Sequence, residues 1–251
     1  MRGDILKKKL MVLCAVAIMI STCLTGCKMN SGKIRFGSAG IGGTYQIFGD
    51  TFANLISSKS KKYNIEVKTT AGSAANLRLL SKDYIQMAVA QMDLINDAYN
   101  RTGIFENDKK YQGYRAVASL YTEACQIVVP ADSDIQSMDD LEGKKVCIGE
   151  EESGTEQNAL QILNAYGLNE RLVDTVNLNY TDAAKKLKSG DIDAFFCTAG
   201  VQTTVINELS KQCKIRLVSL DQKGVSRLKK SYKFYTEYTI PALSLIHISE
   251  P

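Results

Sequence analysis

The sequence predicts an α/β protein of two lobes, each a parallel sheet covered by helices. From residue 33 onward, short β-branched runs alternate with longer stretches of helical period, the pattern of strand–helix–strand crossovers. The alternation comes in two series, with the boundary near Tyr121–Cys125. Glycine stands just past two of the expected helices, at Gly167 and Gly190, where a left-handed C-cap favours it.

In the first series, residues 34–37 read as a strand. Residues 44–58 read as a helix, with Tyr45, Phe48, Phe52, Leu55 and Ile56 on one face. A strand at 65–69, a helix at 74–81, a strand at 87–91 and a helix at 93–100 follow, then a loop over 102–113. Two apolar runs come next, 114–120 and 125–129, the second ended by Pro130. The second series has helices at 137–141, 155–166, 182–188 and 203–211. They are interleaved with strands at 145–149, 175–179, 194–197 and 215–219.

Ahead of these lies a basic start (Arg2, Lys7, Lys8, Lys9) and an apolar stretch over 10–19, too short for a stable membrane span. It ends in Leu24-Thr25-Gly26-Cys27, which resembles the bacterial lipobox. That resemblance implies removal of residues 1–26, lipid on Cys27 and a tether over 27–33, holding the protein at the membrane outside the cytoplasm. The expected partition is lobe 1 over 34–121 and lobe 2 over 122–219. A helical segment over 220–242 then starts the return to lobe 1.

Charge excludes some partners. The chain has 31 basic and 27 acidic residues; without Arg2, Lys7, Lys8, Lys9 and Asp4 the balance is 27 to 26. No Lys/Arg run interleaves with aromatics, so no nucleic-acid face is expected. Cys125, Cys147, Cys197 and Cys213 sit singly in apolar runs without CxxC spacing, so core packing is expected and a metal site is not. One disulfide among them stays open.

Residues 243–251 read as the translation of a transposon-end adapter used in sequencing libraries, so the natural chain is expected to continue differently after Ala242. The only histidine, His247, falls in that tail. Without it there is no Ser-His-Asp or Cys-His relay, and neither an enzyme nor a cofactor is expected.

Five strand-to-helix junctions carry the polar chemistry. They are Gly37–Tyr45, Thr69–Ser73, Gln91–Asp93, Glu150–Glu156 and Thr198–Thr204. Ligands of open α/β sheets bind beyond the carboxyl ends of strands, where helix N-termini present N–H groups. The first junction lacks the lysine of a P-loop, so nucleotide phosphates are a poor fit. Any one junction alone could be simple capping. Five in two series look like the walls of a cleft.

Several motifs together resemble the TAXI family, the solute receptors of tripartite ATP-independent periplasmic (TRAP) transporters. They are Gly42-Gly43-Thr44-Tyr45, Ala71–Leu80, Ala118-Ser119-Leu120-Tyr121, Ser153-Gly154-Thr155-Glu156, Ala194–Gly200 and Tyr238–Ala242. The resemblance implies a type II periplasmic-binding-protein fold, with lobe 1 completed by a segment beyond Ala242. It implies a small carboxylate or glutamate-like solute, delivered to permease subunits driven by an ion gradient. Position by position it puts Thr44, Tyr45, Ser73, Gln91, Ser153, Gly154, Thr155, Thr198, Ala199 and Gly200 on cleft-facing loops. Met92 and Gln202 depart from the family pattern. A sensory module serving a signalling partner, or an enzyme on the same fold, are the alternatives.

Overall fold

The computed structural model describes residues 33–201 and 203–241. The expected signal peptide, Cys27, Gln202 and the tail read as an adapter lie outside the described residues. The described residues from Ile34 onward belong to one compact unit, built on two sheets.

The first sheet has the order β2-β1-β3, from β1 (Lys33–Gly37), β2 (Asn64–Lys68) and β3 (Met87–Ala88). β1 and β3 run parallel, Phe36 opposite Met87. Helix α1 (Thr44–Lys59) lays Tyr45, Phe48, Phe52 and Ile56 over Phe36 and Ile65, as the helical period predicts, but Leu55, expected on the same face, is exposed. Gly49 lets α1 approach closely, since a methyl there would press on Val67 and Phe36. Helices α2 (Ser73–Ser81) and α3 (Met92–Asn100) share a second cluster of Ala74, Leu77, Leu94, Ala98 and Phe105.

The second sheet has the order β6-β5-β7-β4-β8, from β4 (Ala124–Pro130), β5 (Lys145–Cys147), β6 (Asp174–Val176), β7 (Ala194–Ala199) and β8 (Ile215–Leu217). Along β7 every residue is buried. Its side chains alternate between two cores, as strand geometry requires. Phe196 joins Ile127, Val129 and Val146 under α4 (Gly154–Ala165) and α7 (Gln222–Ser231). Phe195 and Cys197 join Val128 and Cys147 under α5 (Tyr180–Ser189) and α6 (Thr204–Gln212).

The expectation of purely parallel sheets is corrected here. β5 runs parallel to β6 and β7, but β4 is antiparallel to both β7 and β8. β4 enters this sheet from residues 106–123, which hold no helix or strand, and pairs only with strands that come later in the chain. The apolar run 114–120 is accordingly exposed in part, with Val117 84% and Leu120 43% exposed. Strand 87–91 shortens to two residues. Cys125, Cys147, Cys197 and Cys213 are all free thiols, which removes the open disulfide among them.

Candidate functional site

Five helices start around one small cavity of about 50 Å³ between the two sheets. From the first sheet come Gly43, Thr44 and Tyr45 at the start of α1, Gly72 and Ser73 at α2, and Gln91 ahead of α3. From the second come Ser153, Gly154 and Thr155 at α4, Asn179 and Tyr180 at α5, and Thr198 and Ala199 at the end of β7. Nine of the ten residues expected to face a cleft line this cavity. Gly200 does not: it turns away, and its carbonyl accepts from the Gln126 amide at 3.4 Å.

The local sequence explains why these starts converge. Asn76 is fully buried on α2, and its amide donates to the carbonyls of Ser38 at 2.7 Å and Val89 at 2.9 Å, tying the loops after β1 and β3 together. Its carbonyl oxygen accepts from Thr70 at 2.8 Å, fixing the loop after β2 as well. Ser73 opens α2 but does not cap it. The N-cap is Gly72, at φ 124°, and the Ser73 hydroxyl accepts instead from the Gln91 backbone N–H at 3.1 Å. A positive φ of that kind favours glycine. On the other wall, Ser153 caps α4 by accepting from Glu156 N–H at 3.0 Å.

The two walls meet at several points. Arg78 on α2 reaches Glu152 ahead of α4 at 2.6 Å, and the Ala75 N–H donates to the Glu152 carbonyl at 3.2 Å. Thr181 on α5 donates to the Ile41 carbonyl at 3.2 Å. Gln91 packs on Gly154, where an added methyl would collide with its carboxamide. The Gln91 amide donates to Asn158 at 3.1 Å. Asn158 donates in turn to the Tyr235 hydroxyl at 2.8 Å, which brings the 232–241 segment behind the cavity.

Sequence reasoning missed three polar lining residues of consequence: Tyr121, Glu123 and Tyr180. Tyr45 and Tyr121 donate to the two carboxylate oxygens of Glu123, at 3.1 and 3.2 Å. Burial lifts the Glu123 carboxyl from 4.5 to about 7, although the phenols and the Gln91 amide pull it the other way, and neighbouring Asp93 adds to the rise. Tyr180 donates to the Thr198 carbonyl at 3.0 Å and pairs with the Thr155 hydroxyl at 2.5 Å. Burial also raises the Tyr45 and Tyr180 phenols well above their ordinary range, so both stay neutral donors. Among the described residues no lysine, arginine or histidine lines the cavity, and no cluster of three or more metal-ligating side chains occurs.

Positive helix ends and hydroxyls without a fixed cation suit the polar end of a small solute. The missed residues left a faint trace in the sequence, an acid flanked by Tyr121 and an apolar strand, and a tyrosine directly after the Asn179 cap.

Comparison with known proteins places this geometry. The NMT1-like family matches residues 36–244. The alkanesulfonate-binding protein SsuA from Xanthomonas axonopodis pv. citri, bound to MOPS, is similar at 18% identity and a TM-score of 0.51, over 75% of this chain and 60% of its own. A binding protein component of an ABC phosphonate transporter from Pseudomonas aeruginosa is similar at 13% identity and a TM-score of 0.52, over 84% and 76%. These likenesses show an α/β fold of the periplasmic-binding-protein kind with mixed sheets. The chain spans 60% of the length of the Xanthomonas protein.

Proposed function

The chain belongs to the NMT1-like family, and from that premise we propose that it is an extracytoplasmic solute receptor, not an enzyme, that captures a small carboxylate-bearing solute between its lobes. The observation that carries this reading is the convergence of five helix N-termini, from both sheets, on one small cavity. First-turn N–H groups have no partner within their own helix, and the helix dipole favours negative charge there. Hydroxyls of Thr44, Ser73, Ser153 and Thr198 add donors that can turn toward the bound group, while the Thr155 hydroxyl donates to Tyr180 and holds that phenol in the lining.

The two similar solved structures bear names of sulfonate and phosphonate binding, which supports a small solute with an anionic end. The motifs that resemble the TAXI family support delivery to TRAP permease subunits. The lipobox supports a lipid anchor on Cys27, with the lobes dividing at residues 34–121 and 122–219. Closure of two lobes about a hinge is the usual capture motion of such proteins.

The test is binding by the full chain. A thermal-shift screen against small metabolites, followed by calorimetry, is expected to find an anionic or zwitterionic binder. Thr44→Val and Thr155→Val each should weaken it by about 1–3 kcal/mol, the cost of unpaired buried oxygens. Ser60→Ala, on an exposed turn, should leave affinity unchanged. Both valine variants binding like the wild type would overturn the site, and a purely cationic best binder would overturn the solute class.

A further inference from the structure

The loops after β1, β2 and β3 all run to the cavity, and α1, α2 and α3 start beside it. The amino ends of those strands therefore lie at the opposite end of the first sheet, and two turns meet them there. Lys59-Ser60-Lys61-Lys62-Tyr63 closes α1 and leads into β2. Lys82-Asp83-Tyr84 closes α2 and leads toward β3, and Arg35 of β1 ties it to the sheet by donating to the Asp83 carbonyl at 2.9 Å. Lys59, Lys61, Lys62 and Lys82 are all exposed, and none of them enters an ion pair among the described residues. Lys144, Lys185, Lys211 and Lys229 of the second sheet's layer, by contrast, each pair with a carboxylate. Two tyrosines stand among the four free cations, Tyr63 at 44% exposure and Tyr84 at 58%, with Lys62 over the Tyr63 ring at 5.3 Å.

Helix dipoles account for part of this pattern. A cation near a helix C-terminus is stabilising within the last turn, and Lys59 lies in the last turn of α1 while Lys82 is the C-cap of α2. The dipole does not account for Lys61 and Lys62, which lie past the helix end, or for two tyrosine rings left in water. The path of the chain supplies a reason. β1 begins at Lys33, at this same end of the sheet, and Cys27 precedes it by six residues. Six residues reach no further than about 20 Å, so an acyl anchor on Cys27 would hold this end of the sheet close to the bilayer.

We propose that this end of the first sheet is a membrane-docking face, whose lysines meet anionic lipid headgroups while Tyr63 and Tyr84 settle at headgroup level. It rests on the lipid-anchor reading of Cys27 and goes beyond the solute-receptor one. Lysines near an anionic surface are attracted to it within a screening length, and a tyrosine ring, apolar with one polar tip, favours the interface. A short tether keeps the face at high effective concentration, so a weak attraction is enough to seat it. Docked this way, the carboxyl ends of β1–β3 and the cavity beyond them face away from the lipid.

The test uses the full chain, produced in a bacterium and purified from its membrane so that any group attached to Cys27 is retained. It is placed in vesicles of phosphatidylcholine alone, or of equal parts phosphatidylcholine and phosphatidylglycerol. Acylation of each lysine by a reagent outside the vesicles is then followed by mass spectrometry. Lys59, Lys61, Lys62 and Lys82 should react at least about fivefold more slowly on the anionic vesicles, the partition that one lysine near such a surface supplies. Lys185 and Lys211 should keep their rates. Salt at about 1 M, where the screening length is about 3 Å, should erase the difference. Lys61→Glu combined with Lys62→Glu should return Lys82 to its phosphatidylcholine rate. If that double variant fails to fold, the salt series on the wild type decides. Equal rates on the two vesicles, or protection that salt does not remove, overturns the proposal, as does protection of Lys185 and Lys211 instead. The anchor is read separately by intact mass. Acyl chains on Cys27 with unprotected lysines keep the anchor and sink the docking face. A chain without them that floats with anionic vesicles alone, its four lysines protected, keeps the face and sinks the anchor. Flotation with neither vesicle sinks both.

Discussion

In the second sheet, β7 brings Thr198 and Ala199 to the cavity along six consecutive buried residues, clamped between two cores. In the first, β3 has two residues, and Gln91 reaches the cavity from a loop held by the Asn76 carboxamide. The second wall is thus supported by apolar burial on both sheet faces, and the first by a few directed hydrogen bonds. Apolar burial is spread over many contacts and tolerates small losses. Directed bonds fail one at a time, and each failure leaves a buried carbonyl unpaired.

Truncating the core of the second sheet should have the largest effect. Phe196 is wholly buried among Ile127, Val129 and Val146, so Phe196→Ala should cost about 3–5 kcal/mol in urea unfolding. Phe36 belongs to the first sheet, where its partners Phe48 and Phe52 are only partly buried. That site can relax, and Phe36→Ala should cost less than Phe196→Ala. An equal or greater cost at Phe36 would break the comparison.

Asn76→Ala is the matching probe of the first wall. It removes the donors to the Ser38 and Val89 carbonyls and the acceptor of Thr70. A loss of about 2–3 kcal/mol is expected, the cost of buried polar groups left unpaired. Because the same bonds position the loops that carry Ser73 and Gln91, solute affinity should fall as well. Lost stability with unchanged affinity would show that those loops hold their places without Asn76.

How much of this was legible beforehand follows from the physics of each feature. Alternating β-branched runs and helical periods report burial on both sheet faces, and they marked most strands and helices to within a few residues. Strand direction is not written in burial, so the antiparallel β4 was lost. Junctions rich in glycine and hydroxyls were legible as cleft loops because helix starts demand such residues. Gly200 carries the same composition yet points elsewhere, since composition does not encode a turn's direction. Glu123 escaped notice because an acid beside a strand looks like any solvated charge. Only its placement between the Tyr45 and Tyr121 phenols, the first of them 78 residues distant, sets it apart.

The smallest expected effect concerns the contact between the walls. Arg78 donates to Glu152 at 2.6 Å, to Asp108 at 2.9 Å and to the Ile104 carbonyl at 3.2 Å, and it lies over the Phe105 ring at 5.0 Å. Its side chain is 26% exposed and that of Glu152 46%, so water screens the pair. Such ion pairs contribute about 0.2–1 kcal/mol. Arg78→Met keeps the aliphatic stem over Phe105 while removing the charge. It should cost no more than about 1 kcal/mol, with a coupling to Glu152→Gln of a few tenths in a double-mutant cycle, shrinking as salt is added. The backbone bond from Ala75 to the Glu152 carbonyl remains in both variants, so the walls keep one tie whatever the side chains do. A coupling above about 2 kcal/mol, or one indifferent to salt, would make this pair a buried support of the first wall and put it on a par with Asn76.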